Sequence, residues 1–226
     1  MVELVNGDDV TRAVIDCGPD FREQMLAASV TRIDGLLITH PHADHIHGLD
    51  DVRGFVIDHH KLVDLYADAG TYARLFEAFG YCFRTPPGSS YGPIVRHRPI
   101  KAGEAFLVDG PAGALTIQPY AQIHGSIHSL GFRIGPVAYS SDVSDFPPAA
   151  VEVIKGAELL VVDALQYKPH PSHFSLPEAL EWIERLAVPR AILTHMHTPL
   201  DYETVRRSVP GSIEPAYDGM QVHFDI

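Results

Sequence analysis

The sequence predicts an α/β fold in which two mixed β-sheets pack face to face with helices on the outside. Three observations carry this expectation. Runs of strand length alternate along the chain with amphipathic stretches of helix length. Strand-like runs also cluster between Glu104 and Ser140, enough to build a second sheet. The 226 residues, 46% of them hydrophobic, suffice for one large domain, expected to span 1–226, with no repeat, linker or low-complexity stretch.

Taken in order, Val10 to Ile15 reads as a strand that ends at Asp16 and enters a Gly18-Pro19 turn. Asp20 to Ala28 reads as a helix with Phe21, Met25 and Ala28 on one face. Leu36 to Thr39 is a short buried strand, Val63 to Ala67 another, and Thr71 to Phe79 a helix. Pro86 to Pro93 is a loop rich in Pro, Gly and Ser. Glu104 to Val108, Ala114 to Pro119, Gly131 to Ile134 and Val137 to Ser140 read as strands of the second sheet. Ser144 or Asp145 is expected to cap a helix opening on Pro147-Pro148. Glu158 to Asp163 and Arg190 to Thr194 are strands. Ser175 to Ala187 is a helix with Ser175 and Glu178 spaced as a capping box and an apolar face of Leu176, Ala179, Leu180, Ile183 and Leu186. Tyr202 to Ser208 is a short helix, and Ile213 to Ile226 has the pattern of a terminal hairpin.

Composition narrows the function classes. A formal net charge of −12 argues against a protein that coats long nucleic acid, which needs a broad basic surface. It leaves room for a small anionic substrate, because bound cations would dominate the local field. The apolar runs, such as Leu159-Leu160-Val161-Val162, are too short to span a bilayer, and no secretory leader pattern opens the chain. Cys17 and Cys82 form no metal-binding pair, and nothing demands a disulfide between them. A cytoplasmic protein with reduced thiols and no membrane partner is expected.

The chemistry is concentrated in Thr39-His40-Pro41-His42-Ala43-Asp44-His45. Three imidazoles and a carboxylate fall within six residues, directly after the apolar run Leu36-Leu37-Ile38. A strand ending in such a cluster places these groups on rigid backbone, and the donor set suits Zn²⁺, Mn²⁺ or Fe. The 14 histidines of the chain agree with a metal site.

This HxHxDH pattern resembles the signature of the metallo-β-lactamase superfamily. His124 in Gln122-Ile123-His124-Gly125, Asp142 in Tyr139-Ser140-Ser141-Asp142 and His195 in Ile192-Leu193-Thr194-His195 are similar, in order and spacing, to its later ligand blocks. The resemblance therefore runs over essentially the whole chain. It implies the four-layer αββα sandwich and two divalent ions, Zn or Mn. His40, His42 and His124 would hold the first ion, Asp44, His45 and His195 the second, and Asp142 would bridge them. Such a pair shares one hydroxide and clamps the attacking and leaving oxygens of a displacement. Asp44 thereby counts as catalytic as well as ligating. Asp16 and Asp163, at strand ends, either orient ligand imidazoles or merely cap turns.

His170-Pro171-Ser172-His173 resembles the phosphodiesterase branch of that superfamily, particularly phosphoribosyl cyclic phosphate phosphodiesterase. The resemblance implies that His173 faces the metals and protonates the leaving group; the plainer reading makes it a helix-entry residue. His197 and Tyr202, just beyond a ligand, and Arg53 are candidate substrate contacts, with an Arg–Asp surface pair as the competing reading of Arg53. His128, four residues on, is the rival to His124 as a ligand, but the His-Gly pair of the family block favours His124; His128, like His59, His60 and His97, is expected at the surface.

The leading expectation is a dinuclear metal-dependent hydrolase that cleaves a small cyclic phosphate or nucleotide-like diester. A thioester hydrolase of the glyoxalase type would share the ligands but normally adds a C-terminal helical domain, and nothing after Asp201 is long enough for one. A β-lactamase usually lacks the bridging Asp and often uses a Cys ligand. A tRNA endonuclease normally carries a basic arm, and no insertion rich in Lys and Arg appears. A metal- or nucleotide-binding module without turnover stays open. One departure from the superfamily lies at the start, where a strand is missing or reduced to Glu3-Leu4-Val5. An exposed sheet edge there would favour pairing with a second copy, as a homodimer.

Overall fold

In the computed structural model, which describes residues 1–224, the chain divides into two units, Met1–Lys101 with Phe106–Thr116, and Ala102–Ala105 with Ile117–Ile226. The first unit is built on a five-stranded sheet in the order β1-β2-β3-β4-β5. Its strands are β1 (Val2–Asn6), β2 (Asp9–Ile15), β3 (Gly35–Leu37), β4 (Val63–Ala67) and β5 (Val95–Pro99). β1 runs antiparallel to β2, and the other pairings are parallel. Parallel strands are covered on both faces, so their residues read as unbroken apolar runs, and Leu36, Leu37, Leu65 and Ala67 are fully buried. Around the sheet lie α1 (Phe21–Ala27), α2 (Ala43–Ile46), a 3-10 turn (Leu49–Val52), α3 (Arg53–His59) and α4 (Ala69–Phe83). α4 starts at Asp68, whose carboxylate accepts from Thr71 N at 2.7 Å. Phe21, Leu36, Ile38, Leu49, Leu65 and Leu75 form the centre of this unit's core.

Several expectations change here. The N-terminal strand is present, because Gly7 at φ 60° allows a two-residue turn and Arg12 pairs with Glu3 directly opposite it. β5 was not expected, since Arg96, His97 and Arg98 do not read as strand; both arginines pair with Asp64 on β4, at 2.6 and 3.1 Å, which seats a charged edge strand. Ala28 lies past the end of α1 and is exposed, so only Phe21 and Met25 of the expected face are buried. α4 runs beyond Phe79, where its backbone kinks.

The other sheet has the order β12-β11-β10-β9-β8-β7-β6. It comprises β6 (Phe106–Gly110), β7 (Gly113–His124), β8 (Ile127–Ile134), β9 (Val137–Ser140), β10 (Leu159–Asp163), β11 (Arg190–Thr194) and β12 (Ile213–Pro215). β7, β8 and β9 form an antiparallel meander, whereas β9, β10, β11 and β12 are parallel. The second unit's helices are α5 (Pro148–Ile154), α6 (Leu176–Leu186) and α7 (Tyr202–Ser208). α6 has the expected capping box, with Ser175 and Glu178 bonding each other's backbone N–H.

β7 and β8 run several residues past their expected limits, to a tight turn at Gly125 with φ 59°. Their ends carry buried polar groups that break the apolar pattern: Gln122 is fully buried and donates to Ser141 O at 2.6 Å and Ser129 Oγ at 3.1 Å. The cap of α5 is Pro147 rather than Ser144 or Asp145, since the Ser144 hydroxyl bonds Ile123 O and the Asp145 carboxylate takes Phe146 N–H. Of the expected terminal hairpin, Ile213–Pro215 instead pairs parallel to β11, residues 216–224 hold no strand, and 225–226 lie outside the described residues. No helix among the described residues is long and apolar enough to cross a membrane.

Candidate functional site

On the first unit, the candidate metal ligands follow β3 on a loop and the start of α2, which one carboxylate organises. Asp16 ends β2 with φ 61°, a left-handed backbone that few non-glycine residues adopt. Its Oδ1 accepts from Thr39 N at 2.8 Å, and its Oδ2 accepts from Thr39 Oγ1 at 2.8 Å and lies 2.7 Å from His45 Nδ1. In the neutral imidazole that contact places the proton on Nδ1 and leaves a lone pair on Nε2, 3.4 Å from Asp44 Oδ2. His40 Nε2 and His42 Nδ1 converge to 2.9 Å, with His40 Nδ1 3.0 Å from Thr39 Oγ1. His40 and His45 are buried, whereas His42 and Asp44 are exposed.

Two glycines make this packing feasible, and the sequence reading missed their part in it. A Cβ on Gly18 would lie 2.2 Å from Asp44 O, and one on Gly48 would lie 2.2 Å from Gly18 O. Cys17 N–H donates to His45 O and Gly48 N–H to Cys17 O, both at 2.8 Å, so the turn after β2 is laced directly to α2. The Gly18-Pro19 turn was the one visible sign of this approach.

On the second unit, the candidate residues come from the ends of four strands. His124 ends β7; its Nδ1 lies 2.7 Å from Ser172 O and its Nε2 3.5 Å from Asp142 Oδ2. Gly125 lets the Ser172 loop come this close, because a Cβ there would meet Ser172 Cβ at 2.8 Å. Asp142, after β9, has φ 54° and is held by Ser141 Oγ donating to Oδ1 at 2.9 Å. His195, after β11, has φ 57°, and its Nε2 stands 3.5 Å from Asp142 Oδ1. Asp163, fully buried at the end of β10, accepts Val143 N–H at 3.1 Å and contacts His173 Nδ1 at 2.6 Å through Oδ2. Burial pushes the Asp163 carboxyl above the usual carboxylate range, with the His173 hydrogen bond opposing the shift. The His173 ring stacks on His195 at 5.0 Å, and its Nε2 lies 3.9 Å from Asp142 Oδ2. Donor atoms of Asp163, His173 and His195 all lie within 4.8 Å of one another.

These geometries test whether the residues suit a metal ion. His45 and His124 each commit Nδ1–H to an oxygen and turn an Nε2 lone pair towards a carboxylate oxygen at 3.4 and 3.5 Å. Two acceptors so placed repel each other unless positive charge lies against both. Imidazole Nε2 atoms set beside carboxylates and oriented through Nδ1 by outer oxygens are the donor set of a divalent transition ion. The residues fit.

The remaining candidates lie as follows. Arg53 Nη2 donates to Asp50 Oδ1 at 2.7 Å. His197 is exposed, with its N–H on Leu165 O at 2.9 Å, and Tyr202 opens α7 with its ring 6.1 Å from Tyr217. His128, His59 and His60 are exposed. His97 departs from its expected surface position: it is half-buried, stacked on Tyr72 at 3.7 Å. His170, whose own role the sequence did not suggest, lies 5.2 Å from the His173 ring, and its Nδ1 accepts Ser172 N–H at 3.3 Å.

Two mixed sheets with helices, bearing imidazoles and carboxylates at strand ends, define an α/β metal-binding fold. The family model for the beta-lactamase superfamily domain matches residues 11–196. The chain belongs to the metallo-β-lactamase superfamily, and its fold is the one that the sequence led us to expect. A diphosphatase from the PhnP family is similar in structure, with a TM-score of 0.86 and 33% identity over 99% of this chain and 83% of that one. Human short-form tRNase Z shares the fold, with a TM-score of 0.69 and 19% identity over 99% and 92% of the two chains. In sequence, an octanoyltransferase of Porphyromonas gingivalis is 33% identical over 98% of this chain but only 44% of its own length, so the chain spans less than half of that relative. A ribonuclease Z of Mycobacterium sp. (strain KMS) is 27% identical over 83% of this chain and 74% of its own.

Proposed function

We propose that the protein is a dinuclear metal-dependent phosphodiesterase that acts on a small cyclic phosphate or a nucleotide-like diester. The observation that carries this is the pair of imidazoles, His45 and His124, anchored through Nδ1 with Nε2 turned onto carboxylates. His40, His42 and His124 would hold one ion and Asp44, His45 and His195 the other, with Asp142 serving both. Bound there, two divalent ions, Zn or Mn, supply a water acidic enough to attack at neutral pH and positive charge for the phosphoryl oxygens.

The protein's own groups do the rest. Asp16 fixes the His45 ring by taking its Nδ1 proton as a hydrogen bond. Asp163 does the same for His173, which makes Nε2 the atom that carries the transferable proton. Protonated at Nε2, His173 delivers that proton to the departing ester oxygen. Arg53, His197 and Tyr202 contact substrate. The net charge of −12 supports a small substrate over long nucleic acid, and we place the protein in the cytoplasm, with β1 as the edge of a homodimer.

Superfamily membership and the resemblance to a diphosphatase at 33% identity support phosphorus chemistry. A relative named for acyl transfer makes a thioester the informative competitor, although the match covers less than half of it. Metal-loaded protein should therefore be assayed on bis(p-nitrophenyl) phosphate, p-nitrophenyl phosphate, a lactoyl thioester and a β-lactam. The diester should be cleaved fastest. A thioester turned over far better than the diester would reject the assignment.

A further inference from the structure

A cavity of about 330 Å³ opens on the first unit, lined by Arg53, Tyr81, Pro86, Ser89, Tyr91 and Gly92. It falls within the roughly 300–1,000 Å³ of small-molecule sites. Its walls are tied in place by hydrogen bonds. Ser89 N–H donates to Pro86 O at 3.1 Å, Tyr91 N–H to Ser89 Oγ at 3.1 Å, and Ile94 N–H to Cys82 O at 2.8 Å, so the loop that presents Tyr91 is closed onto the end of α4. Asp50 ties Arg53 to the end of α4, accepting from Arg53 at 2.7 Å and lying 3.8 Å from Sγ of Cys82, the neighbour of Tyr81.

The chemistry of this cavity is specific. Asp50 offsets the charge of Arg53, so a bare phosphate gains little there. One Nη2 hydrogen of Arg53 goes to Asp50, so the fork left to a ligand pairs the other Nη2 hydrogen with Nη1 or Nε, neither of which has a protein partner among the described residues. Tyr81 and Tyr91 are 43% and 74% exposed, and neither ring packs on another aromatic among the described residues. Flat apolar faces beside an electrically compensated guanidinium fork suit an uncharged, planar ring that carries adjacent acceptors.

We propose that this cavity is a subsite for the purine base of a nucleotide, with guanine preferred, stacked on the tyrosine rings with its acceptor edge towards Arg53. Guanine presents O6 and N7 side by side, the pair that a guanidinium takes in two parallel hydrogen bonds. Arg53 opens α3 eight residues after His45, so the cavity lies on the chain segment that directly follows the candidate metal ligands. The inference rests on the phosphodiesterase reading for its purpose and names the substrate as a guanine nucleotide diester.

Guanosine tests it, because it has no phosphate to seek the metal-binding residues. The full chain and the variants Tyr91→Ala and Arg53→Gln are titrated with guanosine and followed by calorimetry and saturation-transfer NMR, with thermal unfolding as the check on folding. The wild type should bind in the millimolar range or tighter, and each substitution should weaken binding about tenfold. Inorganic phosphate should not displace guanosine. Equal binding by wild type and both folded variants would put the base elsewhere and overturn the inference. So would displacement by phosphate, or no binding to the wild type. Tyr91→Phe keeps the ring and should bind as the wild type does; a loss equal to that of Tyr91→Ala would also overturn stacking. The readout needs no turnover, so a failure of base recognition and a failure of diester hydrolysis are separate results.

Discussion

His45 and His124 each direct Nδ1 at an oxygen, but the oxygens differ. His45 meets the side chain of Asp16, and His124 meets the backbone carbonyl of Ser172. The first partner is a carboxylate that adds basicity to the imidazole and can be removed by mutation. The second is set by the path of the loop, and only a change of backbone would remove it. Around His45, the candidate ligands sit within six consecutive residues on one loop, with His42 and Asp44 open to solvent. Around Asp142, they are drawn from separate strand ends, and Asp142, Asp163 and His124 are buried. One set is assembled by local chain, the other by tertiary structure. Disturbance should spread differently through the two.

The largest effect should come from Asp142→Asn. It removes charge from the residue that stands 3.5 Å from both His124 Nε2 and His195 Nε2. Elemental analysis should show both ions lost together, with hydrolysis reduced to background. His40→Ala should cost mainly one ion. Two ions retained by the Asp142 variant would break the idea of a shared carboxylate.

Next comes His173→Ala. With an alkyl or ribose leaving group, the rate should fall about 10²–10⁴-fold, the usual worth of a general acid. With p-nitrophenolate, which departs unprotonated, the loss should be slight and the metal content unchanged. Equal small losses on both substrates would make His173 a helix-entry residue, and loss of metal would make it a ligand.

A smaller effect is expected from Asp16→Asn, which should weaken metal affinity roughly 10–100-fold, as loss of an outer partner does. Competition with a chelator would measure it. The weakening should fall on one ion, since Asp16 hydrogen-bonds the His45 ring.

The smallest effect sharpens the comparison through pH. Burial raises the folded-state pKa of Asp163 above its ordinary value of 3.8. The neutral carboxyl is thus favoured on folding, and its stabilising contribution is complete below the ordinary value and lost as pH rises through the raised one. In metal-free protein, denaturant midpoints for Asp163→Asn should therefore gain on the wild type as pH climbs from 4 towards neutrality. A gap constant with pH would contradict that sign.

The two sets also differed in how far the sequence revealed them. His40, His42, Asp44 and His45 were legible as candidate ligands from spacing alone, because their donors fall within six residues and follow an apolar strand. His124, Asp142 and His195 were suggested only by resemblance to a family, since nothing local ties a residue at one strand end to another 53 positions away, as Asp142 is from His195. Helices with strong caps or a clear apolar face, such as α6, were read nearly to their ends. The misses had physical causes. The ends of β7 and β8 bury Gln122 and Ser129, β5 is an edge strand seated by ion pairs, and the closeness of Gly18 to Asp44 depends on chain crossing that no periodicity encodes.

Asp16, Asp142 and His195 share a left-handed backbone, with φ of 61°, 54° and 57°. At these positions the chain is selected twice, once for the side chain and once for the handedness of its turn. Asparagine and glycine can follow that turn at little cost, whereas valine or isoleucine cannot. Tolerance of folding, as distinct from activity, should therefore rank at these three positions by backbone permissiveness. A β-branched replacement would misdirect the whole strand end, carrying neighbours such as Val143 and Met196 with it. An engineer wishing to remodel the chemistry while keeping the scaffold should vary the residues between these three corners and leave the corners themselves alone.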